Sequence, residues 1–400
     1  MKKRLALLLV LPVALSAQSA PVTIRAGLLL DGRGGEIRNA LVTVVGGKIQ
    51  SVGPYQGGSP TYDFSRHTVL PGFIDAHVHL TGYINSRGRM HTDSDGDTPV
   101  QADSAVRANA RAMLEAGFTT VQSMGSAGDK PLRDAIAAGT YPGPRILTSL
   151  NPIGNASFQP ERLRQLVDTL KSSGADFVKI FASRSIREGG GQTLSDAQLA
   201  ALCGEARSVG LRTVVHAHSA ESMRAAVLAG CDWVEHGAFA TEEVLRLLAE
   251  RGVYFDPQCA LVLRNYLDHR PWFDGVGNFN AEGFAFMERA LPTFPKLIRT
   301  ATGIPGLRLV YGTDAVAGAH GKNAEDLVCR VRDAGQAAME AIVTATSRNA
   351  AAIGLGNRIG AVLPGFEADL IALEGNPLRE IEAVRRVVFV MKGGKVLKAF

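Results

Sequence analysis

The stretch GFIDAHVH, residues 72–79, is a short apolar run that follows Pro71 and ends in two histidines. Its length and its Gly/Pro border read as a buried β-strand. Seven more runs share this form: FTTVQSM (118–124), RILTSL (145–150), DFVKIFA (176–182), RTVVHAH (212–218), DWVEHG (232–237), VYFDP (253–257) and RLVYGTDA (308–315). Helical patterns lie between them, as in ERLRQLVDTLKSSG and DAQLAALCGEARSVG. Strand and helix alternating eight times predict an α/β fold, specifically a (β/α)8 TIM barrel over residues 71–354. Two long insertions interrupt the rhythm. One follows the first strand (80–103). The other follows the seventh (258–295) and carries Tyr266, Trp272, Phe273, Phe279, Phe284 and Phe286. Both leave the C-terminal ends of strands, where barrels build their sites. An aromatic insertion there predicts a lid over an apolar substrate, with Trp272 and Phe273 as its contacts.

The flanks read differently. Residues 21–70 and 355–400 show alternating apolar positions and Gly-rich turns, as in ALVTVVGGKIQSVG and VRRVVFVMKGGKVLKAF. They predict one small β-sandwich domain built from both chain ends. Residues 1–20 begin with three positive charges, continue with the apolar run Leu5 to Leu15 and exit through Ser16, Ala17, Ser19 and Ala20. That order is a secretory signal peptide, and the apolar run is too short for a spanning helix of ~20 residues. A periplasmic or secreted protein without a stable membrane anchor is expected.

The 400 residues are 46% hydrophobic, 20% charged and 6% aromatic, which excludes a disordered or collagen-like chain. The net charge of +5 is spread thinly, so no nucleic-acid partner is expected. Cys203, Cys231, Cys259 and Cys329 are widely spaced, with no CxxC pair. That spacing favours buried free thiols, with room for one disulfide.

The chemistry gathers at strand ends. His77 and His79 are two apart and share one face of their strand. His216, His236 and Asp314 end the fifth, sixth and eighth strands. Imidazoles and a carboxylate converging in one layer suit a divalent metal, Zn²⁺ by default. Lys179 stands mid-strand among apolar neighbours. A bare ammonium is costly to bury there. Burial beside metal cations favours the neutral amine, which can capture CO₂ as a carbamate, and a carbamate can bridge two metals. His218 shares the parity of His216 and is a candidate substrate contact. Arg184, after the fourth strand, is a candidate partner for a substrate carboxylate. His320 is a candidate at the site mouth.

PGFIDAHVHL, DFVKIFA, VVHAH, VEHG and YGTDA together resemble the amidohydrolase superfamily, and within it the imidazolonepropionase-like branch that includes Xaa-Pro dipeptidases and ochratoxin-type amidases. The resemblance covers essentially the whole chain after the signal segment. It implies one divalent ion held by His77, His79, Lys179 and Asp314, and a second held by Lys179, His216 and His236. A hydroxide bridging the ions would attack an amide, with Asp314 as general base and then acid. Members are often multimers, so a homo-oligomer is expected. The implied partner is a small-molecule amide or peptide substrate, either a small peptide or an N-acyl amino acid. The dipeptidase-like members carry Gly-Gly-His-Gly after the third strand. This chain has LTSLNPIGNASFQPER there instead, with Asn151 and Asn155 as candidate replacements. A hydantoinase-like or dihydroorotase-like cyclic-amide hydrolase is the alternative. A deaminase fits less well, because HAHSAES delays its first acid to Glu221. A non-catalytic scaffold on the same fold would be expected to have lost ligands.

Overall fold

The structure is a computed structural model and describes residues 20–399. The expected signal peptide, Ala20 apart, lies outside the described residues. The chain opens with β1 (Val22–Leu30), β2 (Glu36–Val45), β3 (Lys48–Pro54) and β4 (Tyr62–Pro71). Eight strands follow: β5 (Phe73–Val78), β6 (Phe118–Ser123), β7 (Arg145–Thr148), β8 (Phe177–Phe181), β9 (Arg212–Ser219), β10 (Trp233–Phe239), β11 (Tyr254–Asp256) and β12 (Arg308–Leu309). It ends with β13 (Leu370–Glu374), β14 (Val387–Lys392) and β15 (Lys395–Ala399).

Strands from both chain ends form one continuous sheet in the order β15-β14-β13-β4-β1-β2-β3. The join is the antiparallel pairing of β13 with β4, Leu370 opposite Pro71 through Glu374 opposite His67. Since β4 runs straight on to β5, this sheet fixes where the first parallel strand begins.

The eight middle strands form two parallel sheets, β5-β6-β7 and β12-β11-β10-β9-β8. Strands such as β5 and β6 are buried at every position, as expected for parallel strands covered on both faces. Backbone bonds cross both seams between the sheets. Ile153 N donates to Lys179 O at 2.9 Å, and Phe181 N to Ile153 O at 2.8 Å. On the other side Ala76 N donates to Tyr311 O at 3.0 Å and Asp314 N to His77 O at 2.8 Å. All eight runs read as strands lie in these sheets. The last is short, Arg308–Leu309, and Asp314 beyond it adopts a left-handed φ of 55°.

The two insertions are folded, not loose. The second carries helices at 261–268, 270–273 and 281–290. Phe273, Phe279 and Phe284 are buried there in an apolar cluster with Tyr266. Met90 N from the first insertion donates to Trp272 O at 2.6 Å, so the two insertions form one roof.

The free-thiol expectation is corrected. Cys203 pairs with Cys231, and Cys259 with Cys329. Each bridge joins residues far apart in sequence that the parallel sheets bring together, and spacing alone cannot reveal that. Closing loops of 28 and 70 residues, the bridges should contribute about 3–5 kcal/mol each, the longer loop more. Denaturant melts with and without dithiothreitol check this. Identical midpoints would contradict the pairing.

Candidate active site

The site stands on β5. Asp75, His77 and His79 share its inner parity, and Asp75 and His77 are fully buried. Asp75 accepts hydrogen bonds from Thr313 Oγ1 at 2.6 Å, Asn323 Nδ2 at 2.7 Å and His77 N at 3.1 Å. Burial pushes its carboxyl up to about 6 against those bonds. Asp75 thus ties the histidine strand to the turn that presents Asp314. That turn requires Gly312. A Cβ there would meet Asp256 Oδ2 at 2.1 Å and His77 Cβ at 2.6 Å.

Asp314 Oδ1 lies 3.3 Å from His77 Nε2 and 3.2 Å from His79 Nε2. Burial would raise its pKa, but the two neighbouring histidines outweigh burial and hold it well below the usual carboxylate range. On the opposite side the rings of His216 and His236 are 4.4 Å apart, centre to centre. Burial first, and neighbouring imidazoles second, hold both well below the usual histidine value, leaving neutral nitrogens. Lys179 stands fully buried between the two groups and forms an ion pair with fully buried Glu235. Glu235 Oε1 also sits 2.9 Å from His77 Nδ1.

His77, His79, Lys179, His216, His236 and Asp314 all line one cavity of about 270 Å³. Its roof comes from Met90, Val262, Leu263, Tyr266, Phe279 and Phe294. Both His236 (φ 70°) and Asp314 (φ 55°) hold left-handed backbone conformations. Such strain costs roughly 1–3 kcal/mol per residue and concentrates at functional sites.

The donor set fits divalent metal. Three groups of ligand atoms lie within 4.8 Å of one another: His77, His79 and Asp314; His77, Glu235 and His236; and His216, His218 and His236. Nε2 of His77 is buried and faces Asp314 Oδ1 at 3.3 Å without meeting hydrogen-bond geometry, an arrangement open to an ion shared by the two. Neutral imidazoles and carboxylates are the ligands such ions prefer.

The expected substrate contacts fare unevenly. His218 lines the cavity, with its ring 4.7 Å from those of both His216 and His236. Arg184 does not line it. Its side chain is exposed, and only its carbonyl approaches His216, at 3.3 Å from Nε2. Arg187, one turn further on, lines the cavity in its place. His320 is also outside the lining. Its Nε2 sits 3.1 Å from the carbonyl of His79, where it braces the strand end. Asn151 and Asn155 lie in a separate surface depression, and Asn155 is occupied with Ser157. Trp272 and Phe273 stand behind the roof. Trp272 stacks on His269 and Phe273 packs on Tyr266.

Sequence reasoning missed Glu235, Gln258 and Arg187. Gln258 lines the cavity, and its Nε2 lies 3.0 Å from His77 Nδ1 and 2.9 Å from Asp256 Oδ2. Asp256 is buried, which raises it to about 7, with Arg330 acting against the rise. Ionisable residues inside apolar strands were the available signal for Glu235 and Asp256.

The amidohydrolase family model matches residues 68–397. The ochratoxinase of Aspergillus niger is 26% identical over 450 aligned residues, covering 97% of this chain and 91% of that protein. The crystal structure of a Xaa-Pro dipeptidase with bound methionine in the active site superposes with a TM-score of 0.84 at 26% identity, covering 95% of this chain and 100% of that one. The A. niger ochratoxinase structure, at 24% identity and a TM-score of 0.79, covers 95% of this chain and 96% of that one and shares its fold.

Proposed function

The chain belongs to the amidohydrolase family and is a metal-dependent hydrolase of carbon–nitrogen bonds; from that premise we propose that it is a binuclear enzyme hydrolysing linear amides of small peptides or N-acyl amino acids. One observation carries the reading: six ligand-type side chains line one small cavity beneath an apolar roof. The ochratoxinase and dipeptidase likenesses support a linear amide. The backbone bonds across both seams support a closed (β/α)8 barrel.

His77, His79 and Asp314 would hold one ion, and His216 and His236 the other, with a carbamate on Lys179 between them. Bound there, the ions would lower the pKa of water, giving hydroxide near neutral pH, and would polarise the scissile carbonyl. Asp314, ionised by its histidine neighbours, accepts the proton of the attacking water and delivers it to the leaving amine. That delivery matters because an amide anion is a poor leaving group. Glu235, Gln258 and Asp256 hold His77 in one orientation from behind. Three anionic groups, Asp314, Glu235 and the carbamate, balance most of the charge of two divalent ions.

The signal segment supports a periplasmic or secreted site of action. The two disulfides point the same way, because they persist in oxidising compartments.

Incubating the zinc- and bicarbonate-loaded protein with dipeptides, N-acyl amino acids and cyclic amides tests the substrate class by mass spectrometry. Splitting of linear amides is expected. Ring opening without splitting would move the enzyme to cyclic amides, and loss of ammonia would make it a deaminase.

A further inference from the structure

The helix at 261–268 is a partition between two hollows. Val262, Leu263 and Tyr266 roof the active-site cavity, whereas Leu261, Arg264 and Asn265 line a second cleft of about 770 Å³. The helix at 325–332 adds Glu325, Val328, Cys329 and Arg332 to the wall of that cleft.

The 325–332 helix also grips the root of the partition. Asp326 accepts hydrogen bonds from the backbone N–H of Cys259 at 2.8 Å, Ala260 at 2.9 Å and Leu261 at 2.8 Å. Arg330 Nη2 donates to Pro257 O at 3.2 Å. The bridge from Cys329 to Cys259 makes the grip covalent. Gln258 stands between these anchors, with its Nε2 3.0 Å from Nδ1 of His77. The bridge is thus one residue away from a group that orients a metal-type ligand.

The two bridges have different surroundings. Cys203 and Cys231 lie in the large apolar core with Leu199, Leu202 and Ala226. Cys259 and Cys329 lie in a small cluster with Ala260, Ile298 and Ala334, and Cys329 borders the cleft. A cleft of this size admits a small dithiol, so Cys329 Sγ is the sulfur that a thiolate reaches.

We propose, on the metal reading above, that Cys259–Cys329 is a thiol-exchange site opened through this cleft by a small dithiol, and that its opening frees Gln258 and weakens the metal site at His77. One thiolate of the dithiol bonds to Cys329 Sγ, and the S–S bond breaks with its electron pair going to Cys259 Sγ. The second thiol of the reagent then displaces Cys329. Two cysteine thiols form, the dithiol is oxidised to its own disulfide, and its two protons end on the cysteines.

The folded, metal-free protein is treated with graded dithiothreitol, capped with iodoacetamide, freed of reagent and mapped by mass spectrometry. Capping of Cys259 and Cys329 is expected at dithiothreitol concentrations roughly tenfold below those that open Cys203–Cys231. An equal or reversed order overturns the thiol-exchange site. Zinc affinity, read by competition with a chromogenic chelator, should fall roughly tenfold in the capped protein and in Cys259→Ser/Cys329→Ser, the lower end for losing a partner behind a metal ligand. Cys203→Ser/Cys231→Ser should keep that affinity, and a like loss there overturns the route through Gln258. In Gln258→Leu, zinc should bind weakly in both redox states, and a further loss of the same size on reduction also overturns that route. The capped wild type decides the point if a serine variant does not fold. Hydrogen exchange over 258–268 in the metal-free protein should quicken on reduction, and unchanged exchange overturns the release of Gln258. If neither redox state binds zinc, the metal reading falls, and this exchange contrast alone decides whether the bridge holds the segment.

Discussion

Asp314→Asn, fully metal-loaded, is expected to lose about a thousandfold or more in kcat on any amide it hydrolyses, the upper range for a single acid–base group. KM should stay within a few-fold. Asparagine keeps the shape and one oxygen beside His77 and His79. It cannot accept a proton at neutral pH or return one to the leaving nitrogen. Asp314 is well placed for both transfers. It lines the cavity, and its histidine neighbours keep it ionised far below neutral pH. Rates should therefore not fall on mild acidification through titration of Asp314 itself. Steady-state kinetics alongside elemental analysis checks the prediction. Near-normal turnover at full metal would remove Asp314 from the proton path.

Lys179→Met should have the second-largest effect. Under the carbamate reading it removes the group between the two ions. One metal equivalent and most turnover should be lost together, by about 10²–10³-fold if one polarising ion goes. The ion pair with Glu235 offers a sharp contrast. If Lys179 served only as counter-ion to Glu235, the methionine variant would free that carboxylate for metal and still bind two ions. Labelling with ¹³C-bicarbonate separates the cases. A carbamate carbon resonance is expected in the wild type and not in the variant. Two bound ions in the variant, with no such resonance in either protein, would assign the bridging role to Glu235.

The parallel strands were legible because their burial on both faces writes them as unbroken apolar runs. The histidines at their ends were legible from period two and from the strand-end rule. Glu235 was not. Parity places neighbouring residues on opposite faces, yet His236 takes a left-handed φ and the ladder is irregular beyond it. Glu235 and His236 therefore both serve the site. Arg184 and Arg187 differ only by a single turn of chain, and no periodicity in SRSIREGGG says which arginine turns inward. The disulfides depend on long-range packing: Cys259–Cys329 ties the root of the roof insertion to the helix at 325–332. Asp326 on that helix accepts backbone bonds from Cys259, Ala260 and Leu261, a set that local sequence does not announce. The roof was read correctly as aromatic and incorrectly in its contacts. Tyr266 and Phe279 line the cavity, whereas Phe273 packs against both and Trp272 against Phe273.

Two metal ions in this one cavity are proposed to carry out amide hydrolysis. The most direct measurement is a titration of metal-stripped protein with Zn²⁺ in bicarbonate, following turnover of a linear amide and bound metal in the same samples. Hydrolysis by two ions requires no turnover without metal and full turnover at two equivalents per chain. Full turnover in the stripped protein, or saturation at one equivalent, would contradict it.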